Sequence, residues 1–368
     1  MRNLKIVLDA DDVLIKCNSY ALEMLHKDSG KKFALEEITG WGAIGKAVDE
    51  RLKYFNRLDF FKTQPAMEGA SGFLKELMKI ADVTIMSAVN PMFAGARMER
   101  LITLFPFFPT SQIVLGEKKD MIRADMILDD RVKNVMTSAC TLPVLFRQPW
   151  NRKVSGICSV KNYGEFLTVT NYIREGRHPS AENRQKAVCI IGPGGSNKHL
   201  LQQMLCRDSR FIAVGHITTA DCCGDGVRHV SDSEFDTAIR EKRLAEYTWY
   251  DNYRYGTEKS DIDSIFRKGK VPVVIMDISG SLSFVRDFGS CVVFADRPKY
   301  ESIKDILGKD LSKTQMADRI YNYDLEQKNK ILADLVVDTS PEKIEKSVEK
   351  ITDFCIGRKN NGDNRSLF

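Results

Sequence analysis

The sequence has no C-x-x-C cysteine pair and no apolar run near the ~18 residues of a membrane span. It also lacks any stretch of basic residues interleaved with aromatics, and it has no internal repeat. Each absence removes a class of function. Without the cysteine spacing, a zinc site is not expected. The nine cysteines are odd in number and scattered apart from the adjacent Cys222 and Cys223, and they read as reduced thiols of a cytoplasmic protein. Without the apolar run, no membrane partner is expected. The first residues enter a strand at once, with no signal-peptide core. The net charge of +5 is small for this length. It suits anionic partners such as nucleotides without demanding nucleic acid.

Apolar content of 43% and charged content of 29% are those of an ordinary globular protein. A length of 368 residues exceeds what one core of about 250–300 residues sustains, so two domains are expected. The segment "NYIREGRHPSAENRQKAV" is polar, carries Gly176 and Pro179, and has little periodicity. It places domains at 1–175 and 187–358, a linker at 176–186 and a flexible tail at 359–368.

In the first half, short apolar runs recur at "LKIVLD", "ADVTIMSA", "SQIVLG", "ADMILDD" and "TLPVLF", with amphipathic segments such as "ASGFLKELMKIA" between them. Continuous apolar runs alternating with helices predict an α/β domain whose parallel sheet is covered on both faces. Residues 16–68 interrupt the alternation and predict a helical, aromatic-rich cap after the first strand. In such a sheet, ligands bind beyond the carboxyl ends of the strands. Asp9 and Asp11 stand at one such end, and Asp129 and Asp130 stand at another. Asp after a strand is also common turn and capping chemistry. Two acidic strand ends in one sheet nevertheless repel unless a cation joins them, and hard oxygen ligands suit magnesium.

The ordered set "DADDVL", Ser87 after "VTIM", Lys119 and "ADMILDDR" resembles the haloacid dehalogenase superfamily of phosphohydrolases. With residues 16–68 as cap and "FFKTQPAMEGA" leading back to the core, it is most similar to the 5'(3')-deoxyribonucleotidases, over about residues 1–173. The resemblance implies Asp9 as nucleophile and Asp11 as general acid and base. It further implies Ser87 and Lys119 as phosphate contacts, and Mg2+ held by Asp9, the Asp11 backbone carbonyl, Asp129 and Asp130. Lys118 reads as a solvated neighbour, and Asp12 as a turn residue or a support behind the metal ligands rather than a ligand itself. Among the cap aromatics Trp41, Tyr54, Phe55, Phe60 and Phe61, most are expected in the cap core. Phe60 or Phe61, ahead of Trp41, is expected to stack on a base.

In the second half, "KAVCIIGPGGSNKHLL" is an apolar strand, a glycine turn, a lysine and a helix start, similar to the phosphate-binding P-loop. Gly192, Gly195 and Lys198 fit that pattern. Asn197 replaces its last glycine, and His199 replaces its magnesium-binding hydroxyl. With "HITTA", "LAEYTWYDNYRYGT", "KVPVVIMD" and "CVVFADRP" downstream, residues 187–352 resemble guanylate kinase. The resemblance implies nucleotide contacts at Glu246, Tyr255, Thr257 and Asp277, with Lys309 and Arg319 as lid cations. The family's first clamping arginine is Ala220 here and its second falls near Cys223, with Arg228 as a substitute candidate. The expected function is a magnesium-dependent nucleoside-monophosphate phosphohydrolase fused to a degenerate guanylate-kinase-like domain that holds a second nucleotide. Two alternatives stay open: a bifunctional nucleotidase and kinase, and a non-catalytic nucleotide-binding regulator. A homo-oligomer is compatible with either.

Overall fold

The computed structural model describes residues 3–175, 187–221, 226–250 and 252–356. The expected linker 176–186, the tail 359–368 and the Cys222–Cys223 pair lie outside the described residues. The chain divides at Gly176 into two compact units.

The first unit contains strands β1 (Leu4–Asp9), β2 (Ala81–Ser87), β3 (Ile113–Leu115), β4 (Met126–Asp129), β5 (Leu142–Phe146) and β6 (Ser159–Val160). They form one sheet in the order β3-β2-β1-β4-β5-β6, with every pairing parallel. β4 and β5 are buried at every position, because helices cover both faces and neither face needs polar side chains. All five apolar runs read from the sequence are strands. β6 has two residues, too few to leave a periodic signal.

Between β1 and β2 the chain inserts α1 (Asn18–Ser29), two 3-10 segments (Leu35–Glu37 and Ala47–Asn56) and α2 (Leu58–Thr63), which form the cap, and then α3 (Ala70–Met78). α3 turns Phe73, Leu74 and Leu77 inward. The remaining helices are α4 (Ala94–Leu104), α5 (Val132–Thr137) and α6 (Tyr163–Glu175). β1 lies at the centre, flanked by β2 and β4, so the chain's direction of progress across the sheet reverses there. Asp9 is level with Met86 of β2. Leu8 is level with Leu128 of β4, which sets Asp129 beside Asp9.

In the second unit, β7 (Val188–Ile191) leads through the glycine turn into α7 (Lys198–Leu205). There follow β8 (Phe211–Ala213), β9 (His216–Thr218), β10 (Val227–His229), α8 (Asp232–Arg240), β11 (Leu244–Tyr250), β12 (Tyr253–Glu258), α9 (Lys259–Arg267) and β13 (Val271–Ile275). The unit ends with α10 (Ile278–Phe288), β14 (Cys291–Asp296), α11 (Lys299–Leu307), α12 (Lys313–Gln327), β15 (Leu335–Asp338) and α13 (Ile344–Ile356). A parallel sheet, β15-β14-β7-β13-β8, carries the core built on Val188, Ile190, Leu201, Phe211, Val273 and Val293. A separate four-stranded sheet, β10-β9-β12-β11, has two faces of different character. Ile217, Leu244 and Tyr247 pack with Phe235 on one face. The pairs Glu246–Thr257 and Thr248–Tyr255 share the other, because successive side chains alternate across a strand.

Candidate active site

β1 and β4 end side by side, and each releases a carboxylate at its last residue. Asp9, Asp129 and Asp130 each bring a carboxylate oxygen within 4.8 Å of the others, and all three are buried. Lys119 lies between them: Nζ is 2.6 Å from Asp9 Oδ1 and 2.7 Å from Asp129 Oδ2. A 3-10 turn at Lys119–Met121 points Lys119 inward and leaves Lys118 exposed. Other donors fix the carboxylates further. Ala10 N donates to Asp9 Oδ1, and Arg131 N and Asn134 Nδ2 donate to Asp129.

One ammonium sits among three buried carboxylates, and burial together with their repulsion shows in the acidities of Asp9 and Asp130. Burial, with Asp129 adding to it and Lys119 opposing, holds the Asp9 carboxyl well above the usual range. Burial and the charges of Asp129 and Asp9 push Asp130 up as well. Burial alone would lower the Lys119 ammonium, but Asp9 and Asp129 outweigh it and raise it. One oxygen of Asp130, Oδ2, accepts from Trp150 Nε1 at 2.9 Å. The other, Oδ1, is buried with no hydrogen-bond partner among the described residues. A fully buried carboxylate oxygen left unsatisfied among like charges is the donor set a hard divalent cation fits.

Ser87 ends β2 beside the cluster. It is fully buried, and its Oγ has no hydrogen-bond partner among the described residues. Asp11 lies just past the strand, and its Oδ1 accepts from Arg97 Nη2 at 2.7 Å. Asp12 adopts a left-handed backbone (φ 53) and accepts from Cys17 N at 2.9 Å and Asn18 Nδ2 at 2.6 Å, the turn chemistry expected of it.

Arg97 is the residue that reading the sequence missed. It comes from α4, is 1% exposed, and leaves Nε and Nη1 with no hydrogen-bond partner among the described residues. Two unused donors on a buried guanidinium beside Asp11 match an oxygen-rich ligand. Nothing in "AGARMERL" separates it from its neighbour Arg100. Only the packing of α4 turns one inward.

The expectation that Phe60 or Phe61 stacks on a base is corrected. Phe60 is fully buried against Tyr20, Phe55 and Phe61. Phe61 is 6% exposed, stacks on Phe93 and lies beneath the Arg97 guanidinium. Both rings close the cap core with Ala21, Leu25 and Tyr54, and neither offers a face to a ligand. Trp41, ranked behind them, is 46% exposed.

In the second unit the glycine turn forms a tight loop. A Cβ on Gly192 would meet Ala295 O at 2.6 Å, and one on Gly195 would strike the Ser302 backbone. Asn197, in the last glycine's place, adopts φ 55, a left-handed backbone that Asn tolerates. Its side chain donates to Thr339 O at 3.0 Å, and Arg297 Nη1 donates to Gly195 O at 3.1 Å. Lys198 turns back onto the loop, donating to Gly192 O and, at 2.8 Å, to Pro193 O. Burial lowers the Lys198 ammonium; Glu326 opposes this, and Lys309 and Arg319 add to it. The Arg319 guanidinium lies 5.3 Å over the Tyr250 ring, which meets Tyr255 edge-on.

Glu246 and Thr257 are buried on the polar face of the small sheet. Thr257 Oγ1 donates to Glu246 Oε1 at 2.7 Å and lies 3.0 Å from His216 Nδ1. Burial, with His199 adding to it, pulls His216 down to about 4, so its ring is neutral. Asp277, expected to contact nucleotide, is engaged within the fold. Its Oδ1 caps α10 through Gly280 N at 2.7 Å, and its Oδ2 accepts from Thr248 Oγ1 at 2.8 Å. Arg228, the substitute clamp, is corrected. It is 2.7 Å from Glu258, a residue that follows Thr257 and so points to the opposite face.

Residues 2–173 match the family model described as "5' nucleotidase, deoxy (Pyrimidine), cytosolic type C protein", and residues 184–356 match that of guanylate kinase. The 5'(3')-deoxyribonucleotidase of Bacillus subtilis (strain 168) is 29% identical over 164 residues, covering 44% of this chain and 94% of that protein. The guanylate kinase of Mycoplasmopsis pulmonis (strain UAB CTIP) is 25% identical over 187 residues, covering 46% of this chain and 94% of that protein. Among solved structures, a guanylate kinase from Anaplasma phagocytophilum is similar at 14% identity and a TM-score of 0.35, covering 47% of this chain and 85% of that one.

Proposed function

Because the chain joins a haloacid-dehalogenase-type nucleotidase domain to a guanylate-kinase-like domain, we propose that its first unit hydrolyses nucleoside or deoxynucleoside monophosphates through an aspartyl phosphate at Asp9. The observation that carries this reading is the buried trio Asp9, Asp129 and Asp130 with Lys119 between two of them. Magnesium would be held by those three side chains and the Asp11 backbone carbonyl, with Asp130 Oδ1 as a ready ligand. Bound there, the ion supplies charge neutralisation for an anionic nucleophile meeting an anionic ester.

The chain's own residues supply the remaining steps. An Asp9 oxygen attacks phosphorus and the bond to the nucleoside oxygen breaks, while Asp11 donates a proton to the departing oxygen. Water then attacks the phosphorus of the aspartyl phosphate. Asp11 takes its proton, and inorganic phosphate leaves with Asp9 restored. Lys119 has three N–H donors, of which two face Asp9 and Asp129, so the third is available to a phosphate oxygen. Ser87 Oγ would take another. Arg97 holds the Asp11 carboxylate in place.

A panel of nucleoside and deoxynucleoside monophosphates, assayed for released phosphate, tests the reading. EDTA should stop release and added magnesium should restore it. Asp129→Ala should raise the magnesium needed for half-maximal rate by about tenfold or more. Activity indifferent to the chelator would make the acidic trio structural.

The second unit is read as a nucleotide-binding domain without rapid phosphoryl transfer. Lys198 is engaged by its own loop, His199 stands in place of the metal-binding hydroxyl, and Ala220 replaces a phosphate clamp whose loss costs orders of magnitude in such reactions. Glu246, Thr257 and Tyr255 keep the acceptor-side polar groups. Titration calorimetry on full-length Asp9→Asn, which cannot consume its ligand, should find a purine nucleoside monophosphate bound more tightly than ATP with magnesium. A Glu246→Gln companion should remove that part of the heat belonging to the second unit. Rapid transfer from ATP to any monophosphate would overturn this and favour the bifunctional enzyme.

A further inference from the structure

We propose that Trp150 is a positioning residue that aims the Asp130 carboxylate at the metal site and ties it to the cap, so that magnesium binding and cap seating favour each other. The proposal rests on the magnesium site described above. Trp150 follows β5, in the turn Pro149–Asn151. An indole is a donor only, so its one N–H can hold only one oxygen of a carboxylate. Here it holds Asp130 Oδ2 at 2.9 Å and leaves Oδ1 buried with no hydrogen-bond partner among the described residues, in a carboxylate that belongs to the acidic trio. Asn151 fixes the main chain of the same residue, with Nδ2 donating to Asp130 O at 2.8 Å and to Phe146 O at 2.8 Å. One turn therefore sets both the backbone and the side chain of Asp130.

The other side of the indole belongs to the cap. Trp150 is 8% exposed, and it packs with Leu22 of α1 and with Ile38 and Val48 of the cap. A second cap residue, Trp41, meets the Trp150 ring edge-on at 6.4 Å between centroids. Trp41 is gripped from the metal side as well, with the Arg131 guanidinium 5.0 Å over its ring. Arg131 directly follows Asp130, and its N–H donates to Asp129 Oδ1 at 2.8 Å. Asp129, which ends β4, and Asp130 after it are thus one residue or one hydrogen bond from side chains that hold the cap. A shift of the cap moves Trp150 and frees Asp130 to rotate. A cation that fixes Asp130 in turn fixes Trp150, and such coupling is reciprocal.

The test uses the full chain. Magnesium binding is followed by calorimetry, and backbone exchange over the cap by hydrogen–deuterium mass spectrometry with and without magnesium. Trp150→Phe keeps an aromatic ring against Leu22, Ile38 and Val48 and deletes the donor, together with part of the indole's volume. We expect magnesium to slow exchange across residues 18–63 of the wild type. Trp150→Phe should bind magnesium about tenfold or more weakly, the usual cost of losing a partner that orients a ligand. A wild type that binds no magnesium would remove the metal site itself. A wild type that binds it while Trp150→Phe binds equally well would remove only the positioning role. Should Trp150→Phe fail to fold, the wild-type exchange decides: cap exchange indifferent to magnesium overturns the coupling, and magnesium-dependent protection supports it.

Discussion

Asp9→Asn should lose phosphate release by about 10⁴-fold or more while keeping its fold, because an amide cannot form the acyl phosphate. The substitution should not lower the melting temperature in EDTA. Asp9 is one of three buried carboxylates around one ammonium, and an amide of the same shape relieves repulsion while Lys119 keeps Asp129 at 2.7 Å. Steady-state assay beside calorimetric melting checks both halves. Near wild-type turnover would sink the covalent mechanism. Asp11→Asn gives the complementary result. It should lose turnover on nucleotides, yet still phosphorylate Asp9 from p-nitrophenyl phosphate, whose leaving group needs no proton. Intact mass spectrometry should then catch the phosphorylated chain, since water has lost its base.

Lys119→Met should have the largest effect on stability. Lys119 is 2% exposed, and its removal leaves buried carboxylates with no countercharge. Breaking such a group from one side costs roughly 3–5 kcal/mol. The transition of the first unit in EDTA should therefore fall sharply, and magnesium should recover part of the loss. Lys118→Met is the control. Its side chain is exposed, so its effect should stay within about 0.5 kcal/mol. An unchanged melting temperature for Lys119→Met in EDTA would mean that the carboxylates are not charged in the folded protein. The charge deficit invoked for the metal would then vanish. Activity should fall with either outcome, so the melting experiment is the one that discriminates.

The sequence by itself determined the two α/β halves, the five principal strands of the first and the places where those strands end in carboxylates. Those features are local. A run such as "KIVLD" needs burial on both faces and stops where its charge begins, and a glycine turn before Lys198 is written in consecutive residues. The assembly of Asp9 with Asp129 was legible for the same reason, because parallel neighbours in one sheet end on the same edge. Only the tertiary structure decided which side chains face these groups. Arg97 reaches Asp11 from a helix far along the chain, Trp150 reaches Asp130 across a turn and into the cap, and Phe60 closes the cap core where a ligand contact was expected. Lys198 bonded to its own loop belongs to the same class. Periodicity states that an aromatic or a cation lies on a buried face, but not what lies opposite it. That partner is set by how helices and cap pack on the sheet, and it was the packing that separated Arg97 from Arg100, Lys119 from Lys118 and Trp41 from Phe60.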